Sequence, residues 1–235
     1  MQMYDRVLLK LSGEALLGKK SFGIDYEVVH RISEDIAEAK KLGTEIAIVI
    51  GAGNIWRGTE NAESGIERVP SDYIGMLGTI MNAVALSASL ERIGVDTRVS
   101  SAMDIPAVAE PYVLRRAQRH LEKGRVVICA AGTGNPFFTT DSAAALRALE
   151  LQCDVLIKAT NIDGVYDDDP RKNKSAKKYD TVSFEEVLEK DLKVMDGTAI
   201  AQCRDNKMPI VVFELMKKGN IARAIRDKNI GTRIE

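Results

Sequence analysis

The sequence predicts an α/β fold with three layers, in which a mostly parallel central sheet is covered by helices on both faces. Three observations predict it. Runs such as residues 45–50 are rich in Ile and Val on both faces, which is typical of parallel strands buried between helices. Segments with helical periodicity alternate with these runs along the whole chain. Glycine clusters follow the runs, at the edge of a sheet where ligands collect.

The strands are predicted from short apolar runs that Gly, Pro or polar residues bound. Their apolar character on both faces puts them inside the sheet rather than at its edge. They are expected at residues 7–9, 45–50, 97–101, 125–130, 155–158 and 209–214.

The helices are predicted from apolar positions at helical spacing and from their boundary residues. Asp25 opens the first helix and Gly43 ends it, because Asp favours the N-cap and Gly the residue after the last turn. Residues 161–178 are polar, with three consecutive aspartates, and are expected to form a loop or lid. The helical segments lie at residues 25–43, 71–93, 114–124, 141–151, 183–190, 198–206 and around Ala222.

Length and composition indicate one globular domain. The chain has 235 residues, of which 45% are hydrophobic and 29% charged, so it can bury a core and is not disordered. No linker or repeat divides it, and we expect one domain, residues 1–235, with two functional lobes at residues 1–150 and 151–235. The net charge of −1 argues against binding to nucleic acid, which needs a basic excess.

The same sequence argues against export and against a membrane. The apolar runs are strand-length, and the first ten residues have no signal-peptide core. The three cysteines form no CxxC pair and lie beside apolar residues, so we expect buried thiols in a reducing, cytoplasmic compartment. The two histidines show no metal-ligand spacing.

Three glycine-containing segments come close to known nucleotide-binding signatures, but each lacks a residue type that its signature needs. The segment from Gly13 resembles a P-loop but ends in Lys20, which has no hydroxyl for Mg²⁺. The GxG pairs at Gly51 and Gly132 have Trp56 and Phe137 where a dinucleotide fold needs a small residue.

The remaining strand ends are suited to binding phosphate. Lys10 and the following residues combine an ammonium group with backbone N–H groups, and Arg57 follows the second glycine turn. Trp56 is either a packing anchor or a base platform. Lys158 ends a buried strand, so it requires an anionic partner, whether protein or ligand.

Two aspartates have two possible roles each. Asp141 can cap its helix and at the same time orient a lysine or hold Mg²⁺, and Asp196 caps a helix or belongs to the site. The aspartates at residues 167–169 form either a solvated face or part of a lid. The densest polar segment is residues 132–141, where three threonines and an asparagine can donate to a phosphate or a base edge.

These segments, in this order and spacing, resemble the bacterial uridylate kinases of the amino acid kinase superfamily. The resemblance covers nearly the whole chain. The segments at Lys10 and Lys158 are shared across the superfamily, whereas GTGNPFFTTD is similar to the uridylate kinase version in particular. One departure is Ala52, since the second glycine loop of this family is commonly GGGN. An alanine keeps a backbone contact there only if its φ is negative.

The resemblance implies an amino acid kinase-like fold that transfers the γ-phosphoryl group of ATP to UMP, with Mg²⁺ held mainly through phosphates. It implies catalytic roles for Lys10, Lys158, Asp141 and Asp196. It assigns ATP contacts to Lys10, Leu11, Ser12, Gly13, Gly53, Arg57, Thr160, Asn161, Tyr166 and Asp169. It assigns UMP contacts to Ala52, Asp72, Thr133, Gly134, Asn135, Pro136, Phe137, Phe138, Thr139 and Thr140.

The resemblance further implies a homohexamer, inhibition by UTP and, in many members, activation by GTP. The first lobe would hold the acceptor and the second ATP. Two other readings stay open. A related kinase would phosphorylate a carboxylate or carbamate, and a noncatalytic relative would only bind nucleotides.

Overall fold

The computed structural model describes residues 4–57, 65–227 and 229–235, so Gly58, which belongs to the second glycine segment, lies outside the described residues. The strands are β1 (Arg6–Leu11), β2 (Glu45–Ile50), β3 (Thr97–Ser101), β4 (Glu110–Pro111), β5 (Val126–Ala130), β6 (Val155–Thr160), β7 (Thr181–Val182), β8 (Ile210–Glu214) and β9 (Thr232–Ile234). The helices are α1 (Tyr26–Lys40), α2 (Arg68–Arg92), α3 (Leu114–Glu122), α4 (Thr140–Glu150), α5 (Phe184–Glu189), α6 (Gly197–Asp205) and α7 (Asn220–Arg226), with a 3₁₀ helix at Gly13–Leu16.

The strands form one nine-stranded sheet in the order β4-β3-β5-β2-β1-β6-β8-β9-β7. The first seven strands in this order pair in parallel, as predicted. Only the pairing of β8 with β9 is antiparallel within the described residues, and it reverses the far edge of the sheet. The carboxyl ends of β1, β2, β5 and β6 therefore meet at one edge.

Two cores sandwich the sheet, which confirms the three-layer prediction. One face packs against α1, α2 and α7, and the other against α3, α4, α5 and α6. Alternate residues of β1 point to opposite cores, since Leu9 belongs to the first and Leu8 to the second. Lys10, two residues after Leu8, therefore points to the face that α4 covers.

The predicted helices are present, with small shifts at their ends. Asp25 caps α1 by accepting from the Glu27 backbone N–H at 3.0 Å. Helix α2 begins at Arg68, three residues before the predicted start. The cysteines are buried as expected, and burial raises the pKa of Cys129 to about 12. Three short strands, β4, β7 and β9, were not predicted, because two or three residues show no periodicity.

Helix α2 has the length and composition of a membrane span, with a mean hydropathy of 1.4 over its most apolar window, of which 50% is buried inside the protein. The expectation from sequence considered uninterrupted apolar runs only, and α2 interrupts its apolar residues with Thr79 and Asn82. Its inner face packs on the sheet as part of the first core.

Candidate active site

Two lysines lie side by side at the carboxyl ends of β1 and β6. Lys10 and Lys158 are direct partners in the parallel register of the two strands. Both side chains are largely buried, and like charges at paired positions repel each other. A shared counter-ion is therefore required, as the sequence predicted for Lys158.

Asp141, in the first turn of α4, is that counter-ion. Its Oδ1 lies 2.5 Å from Lys10 Nζ and its Oδ2 lies 2.8 Å from Lys158 Nζ. The Lys10 contact is an ion pair without aligned hydrogen-bond geometry, whereas Lys158 donates to Asp141 and to the Val194 carbonyl. The cluster holds two ammonium groups and one carboxylate, so it is attractive to an anion.

The expectation that Asp141 caps its helix is wrong. Thr139 is the N-cap of α4, and its hydroxyl oxygen accepts from the backbone N–H of Asp141 at 3.0 Å and of Ser142 at 3.3 Å. This leaves the Asp141 carboxylate available to the two lysines. The alternative interpretation, in which it orients a lysine, agrees with the geometry.

Burial and the neighbouring charges perturb the ionisation of this cluster. Burial disfavours the carboxylate, but Lys10 and Lys158 outweigh it and hold the pKa of Asp141 below its ordinary value. Burial and then the positive charge of Lys10 lower the pKa of Lys158, and Asp141 offsets this only in part. Perturbed groups of this kind concentrate at functional sites.

Asp196 caps α6 and also contacts the polar segment of residues 132–141 and the first turn of α4. Its Oδ1 accepts from the Ala199 backbone N–H at 2.9 Å, so the cap role is confirmed. The Ser142 hydroxyl donates to it at 3.0 Å, and the Thr139 hydroxyl also bonds it. One side chain thus makes both sets of contacts, and the role of Asp196 in the site stays a prediction.

The first glycine loop packs against the second too closely for a side chain at Gly13. A Cβ at Gly13 would lie 2.6 Å from Asn54 Oδ1, from the Gly51 carbonyl and from the Gly53 nitrogen. Asn54 and Asn82 of α2 exchange side-chain amide hydrogen bonds of 2.9 and 2.7 Å. This buried pair fixes the second glycine loop against α2.

A cleft of about 620 Å³ opens on the β6 side of the two lysines. Its lining includes six of the residues assigned to ATP, namely Lys10, Ser12, Thr160, Asn161, Tyr166 and Asp169. Leu11 is buried in the core, so only its backbone can reach a ligand. Residues 161–178 form a loop, as predicted, in which Tyr166 pairs with Lys178 in a single bridge.

Arg57 and Gly53 lie beside this cleft rather than in its lining. Arg57 Nε donates to the Gly53 carbonyl at 3.0 Å, and Arg57 also pairs with Glu14 at 3.1 Å. The cleft is lined further by Lys190, Asp191 and Lys193. Lys193 begins the segment Lys193–Asp196, which the resemblance includes, whereas sequence reasoning missed Lys190 and Asp191, which lie just after α5 outside any motif.

A second cleft of about 240 Å³ lies on the β2 and β5 side, near the start of α4. It is lined by seven of the residues assigned to UMP, namely Ala52, Asp72, Thr133, Asn135, Phe138, Thr139 and Thr140. Ala52 has no positive φ, so the departure from GGGN leaves the backbone N–H in ordinary geometry. Trp56 also lines this cleft and donates to the Ser71 hydroxyl at 2.9 Å.

Three residues assigned to UMP lie outside the lining of the second cleft: Gly134, Pro136 and Phe137. The Phe137 ring is 67% exposed, and its backbone N–H donates to Asp72 Oδ2 at 2.7 Å. Arg68 Nε lies 2.8 Å from the same oxygen. Asp72 is therefore held in place by its own chain at the mouth of the cleft.

The carboxylates do not fit a divalent cation held by the protein. Within residues 4–57, 65–227 and 229–235, no three His, Cys, Asp or Glu side chains are grouped to hold a metal ion. Asp141 is engaged by two ammonium groups, and Asp196 by hydroxyl and backbone N–H donors. The cluster is suited instead to anions that enter from the two clefts on either side of it.

Comparisons with known proteins agree with this geometry. The sequence model of the amino acid kinase family matches residues 5–214. A curated uridylate kinase from Zymomonas mobilis is 57% identical over 229 residues, which is 97% of this chain and 95% of the relative.

Solved structures of UMP kinases superimpose on nearly the whole chain. The protein from Bacillus anthracis has a TM-score of 0.96 at 39% identity and covers 99% of this chain and 96% of its own. The protein from Ureaplasma parvum has a TM-score of 0.92 at 35% identity, with 98% of each chain covered. A uridylate kinase from Archaeoglobus fulgidus has a TM-score of 0.75 at 29% identity, with 97% and 99% covered.

Proposed function

The chain belongs to the amino acid kinase family, and from this premise we propose that it transfers the γ-phosphoryl group of ATP to UMP, giving UDP and ADP. One observation carries the proposal. A cluster with two ammonium groups and one carboxylate lies between two clefts, which suits a reaction that joins two anionic nucleotides. The names of the relatives supply the identity of the acceptor.

The chemistry requires positioning and charge neutralisation more than proton transfer. The attacking oxygen belongs to the phosphate of UMP, which is already ionised near neutral pH, so no general base is needed. Lys10 stabilises the charge of the transferring phosphoryl group, and Lys158 neutralises the phosphates of ATP. Asp141 keeps both ammonium groups in register and prevents them from repelling each other.

The two clefts would then divide the substrates between them. The larger cleft takes ATP, with Tyr166 and Asp169 around its base and ribose. The smaller cleft takes UMP, with Asp72 at its mouth and the threonines of residues 133–140 as hydroxyl donors. This division corresponds to an acceptor lobe at residues 1–150 and an ATP lobe at residues 151–235.

Magnesium enters this proposal with the substrate. Because the carboxylates near the lysines are already engaged, Mg²⁺ is carried by the phosphates of ATP. It supplies additional positive charge there, and no protein side chain is assigned to it.

We further propose that the chain assembles into a homohexamer. A groove of about 1000 Å³ runs along the outer face of α2, and its lining includes Leu77, Met81 and Val84, which are 44, 56 and 37% exposed. Exposed apolar surface of this kind supports a contact between subunits. Met81→Glu would place a charge there, and light scattering should then report a smaller particle than the wild type.

Regulation by other nucleotides follows from the resemblance alone. We propose inhibition by UTP and activation by GTP in a cytoplasmic enzyme. Both effects are testable by adding each nucleotide to the assay described below.

An ADP-release assay with ATP against UMP, CMP, dUMP and small carboxylic acids tests the function directly. We expect turnover with UMP and little with the carboxylic acids. Turnover of a carboxylate without UMP would reverse the assignment to another member of the superfamily. Binding of ATP with no ADP release from any acceptor would indicate a noncatalytic nucleotide-binding protein.

A further inference from the structure

The segment that follows β5 and lines the smaller cleft begins with two consecutive residues in the left-handed backbone region. Ala131 has φ 61° and Gly132 has φ 58°, directly after β5. A left-handed conformation costs a residue with a side chain about 1–2 kcal/mol, so Ala131 requires compensating contacts. Two buried side chains, neither assigned a role above, supply them.

The first contact comes from α2. The Ala131 backbone N–H donates to Thr79 Oγ1 at 2.8 Å, and the Thr79 hydroxyl in turn donates to the Met76 carbonyl at 2.7 Å. Thr79 is 3% exposed. Because its single proton is committed to Met76, its oxygen is fixed as an acceptor for Ala131.

The second contact comes from α4, on the opposite face of the sheet. Arg147 is buried and donates to Glu150 at 2.6 Å, and its guanidinium carbon lies 3.8 Å from the centre of the Tyr112 ring. These two contacts hold the plane of the guanidinium group. Its other terminal nitrogen donates to the Gly132 carbonyl at 3.4 Å.

We propose that Thr79 and Arg147 are positioning residues for the phosphate acceptor. They hold the turn at Ala131 and Gly132 from both faces of the sheet, and this turn leads directly to Thr133 and Asn135 in the smaller cleft. Neither side chain lines the larger cleft, whereas Thr79 and Gly132 also line the smaller one, so we expect the effect on the acceptor rather than on ATP. The inference rests on the proposed function only for the identity of that acceptor.

Steady-state kinetics of Thr79→Val and Arg147→Lys, with each substrate varied in turn, test the proposal. Loss of one such hydrogen bond corresponds to about a fivefold to tenfold rise in KM for UMP. We expect KM for ATP to stay near the wild-type value in both variants. The affinity for UMP is also measured without turnover, through the fluorescence of Trp56, which is the single tryptophan and lines the acceptor cleft.

Matched controls exist at the opposite end of the sheet. Thr44 is a buried threonine whose hydroxyl donates to the Tyr4 carbonyl at 3.1 Å, and Arg6 bonds a carboxylate and a carbonyl much as Arg147 does. Thr44→Val and Arg6→Lys should change stability without changing either KM. Thr79→Ser keeps the hydroxyl group and should restore most of the UMP affinity that Thr79→Val loses.

The outcomes separate this inference from the proposed function. A wild-type chain that neither binds nor phosphorylates UMP would overturn the proposed function. A wild type that does both, with an unchanged UMP affinity in Thr79→Val and Arg147→Lys, would overturn the positioning role alone. An equal rise in both KM values would also overturn it, because that result indicates general loosening. If Thr79→Val does not fold, Arg147→Lys carries the same test.

Discussion

The central strands β1, β2 and β6 carry an ionic cluster at each end, and the two clusters differ in charge balance. At the amino ends, Arg6 pairs with Glu45 at 2.6 Å and donates to the Leu151 carbonyl at 2.6 Å. Asp154 accepts from the backbone N–H groups of Asp5 and Arg6. One cation therefore pairs with one carboxylate, and the donors of Arg6 are directed at protein acceptors.

At the carboxyl ends two ammonium groups, those of Lys10 and Lys158, pair with the one carboxylate of Asp141. Both clusters lie at the ends of β1 and β6, and their ion-pair distances are similar. In this protein the ratio of paired charges, rather than burial or ion-pair geometry, distinguishes the carboxyl-end cluster, which suits an anionic ligand.

The largest expected effect comes from removing one of the two ammonium groups. Lys10→Met should lower kcat by about 10²–10³, because a preorganised charge at the transferring group is lost. Steady-state assays with saturating ATP and UMP measure it. Arg6→Met is the matched variant at the other end and should lower stability while kcat stays near the wild-type value. A normal kcat in Lys10→Met would mean that the two clusters do not differ in their contribution to catalysis, which would contradict the comparison.

The next effect concerns Asp141 and its dependence on pH. Asp141→Asn should lower the free energy of unfolding by about 1.5–3 kcal/mol at neutral pH, because two buried ammonium groups lose their counter-ion. The folded-state pKa of Asp141 is lowered, so its contribution is present above the ordinary value of 3.8 and is lost as the pH falls through the folded-state pKa. Chemical unfolding of both proteins across this range should show their difference shrinking in acid. A difference that stays constant would indicate no shift.

A smaller effect separates the two roles of Asp196. Asp196→Ala removes the N-cap of α6 and should cost about 1 kcal/mol of stability. Asp196→Asn keeps a capping oxygen, so stability should change little, while kcat falls because the carboxylate near Lys158 is lost. Thermal unfolding and steady-state kinetics on the same preparations measure both. If Asp196→Asn kept the full kcat, Asp196 would be a cap alone.

The smallest effect is expected at the amino ends. Arg6→Lys keeps the charge but loses the geometry of the guanidinium group, and partly exposed pairs contribute about 0.2–1 kcal/mol. Denaturant unfolding should show a decrease of this size. Any rise in KM for either substrate would mean that the amino-end cluster influences the site, which the comparison does not allow.

Much of this arrangement was predictable from sequence, because strand periodicity and strand ends are local properties. Lys10 was expected directly after the strand at residues 7–9 and Lys158 at the end of the strand at residues 155–158, so both lysines were expected near a binding edge, although β1 extends to Leu11 and includes Lys10. The need of Lys158 for an anionic partner also followed from burial. Asp141 was expected to orient a lysine, but the sequence did not show that it would contact both lysines, because that depends on how α4 packs on β1 and β6.

Other features depend on contacts between distant segments and left no local signal. Thr79 lies inside a long helix, and nothing near it indicates a bond to Ala131, 52 residues away. Phe137 turns outward because of its left-handed backbone, which its place in the polar segment does not reveal. The resemblance supplied most of the cleft residues that physical reasoning alone left undecided.

Helix α2 provides Asp72 at the mouth of one cleft, Thr79 beneath the acceptor turn and Asn82 against the second glycine loop, while Met81 and its apolar neighbours face outward. Because α2 contacts both substrate-binding loops, a displacement of this helix would displace both of them. Because that outward face is the proposed subunit contact, assembly of the subunits would fix the positions of both loops at the same time.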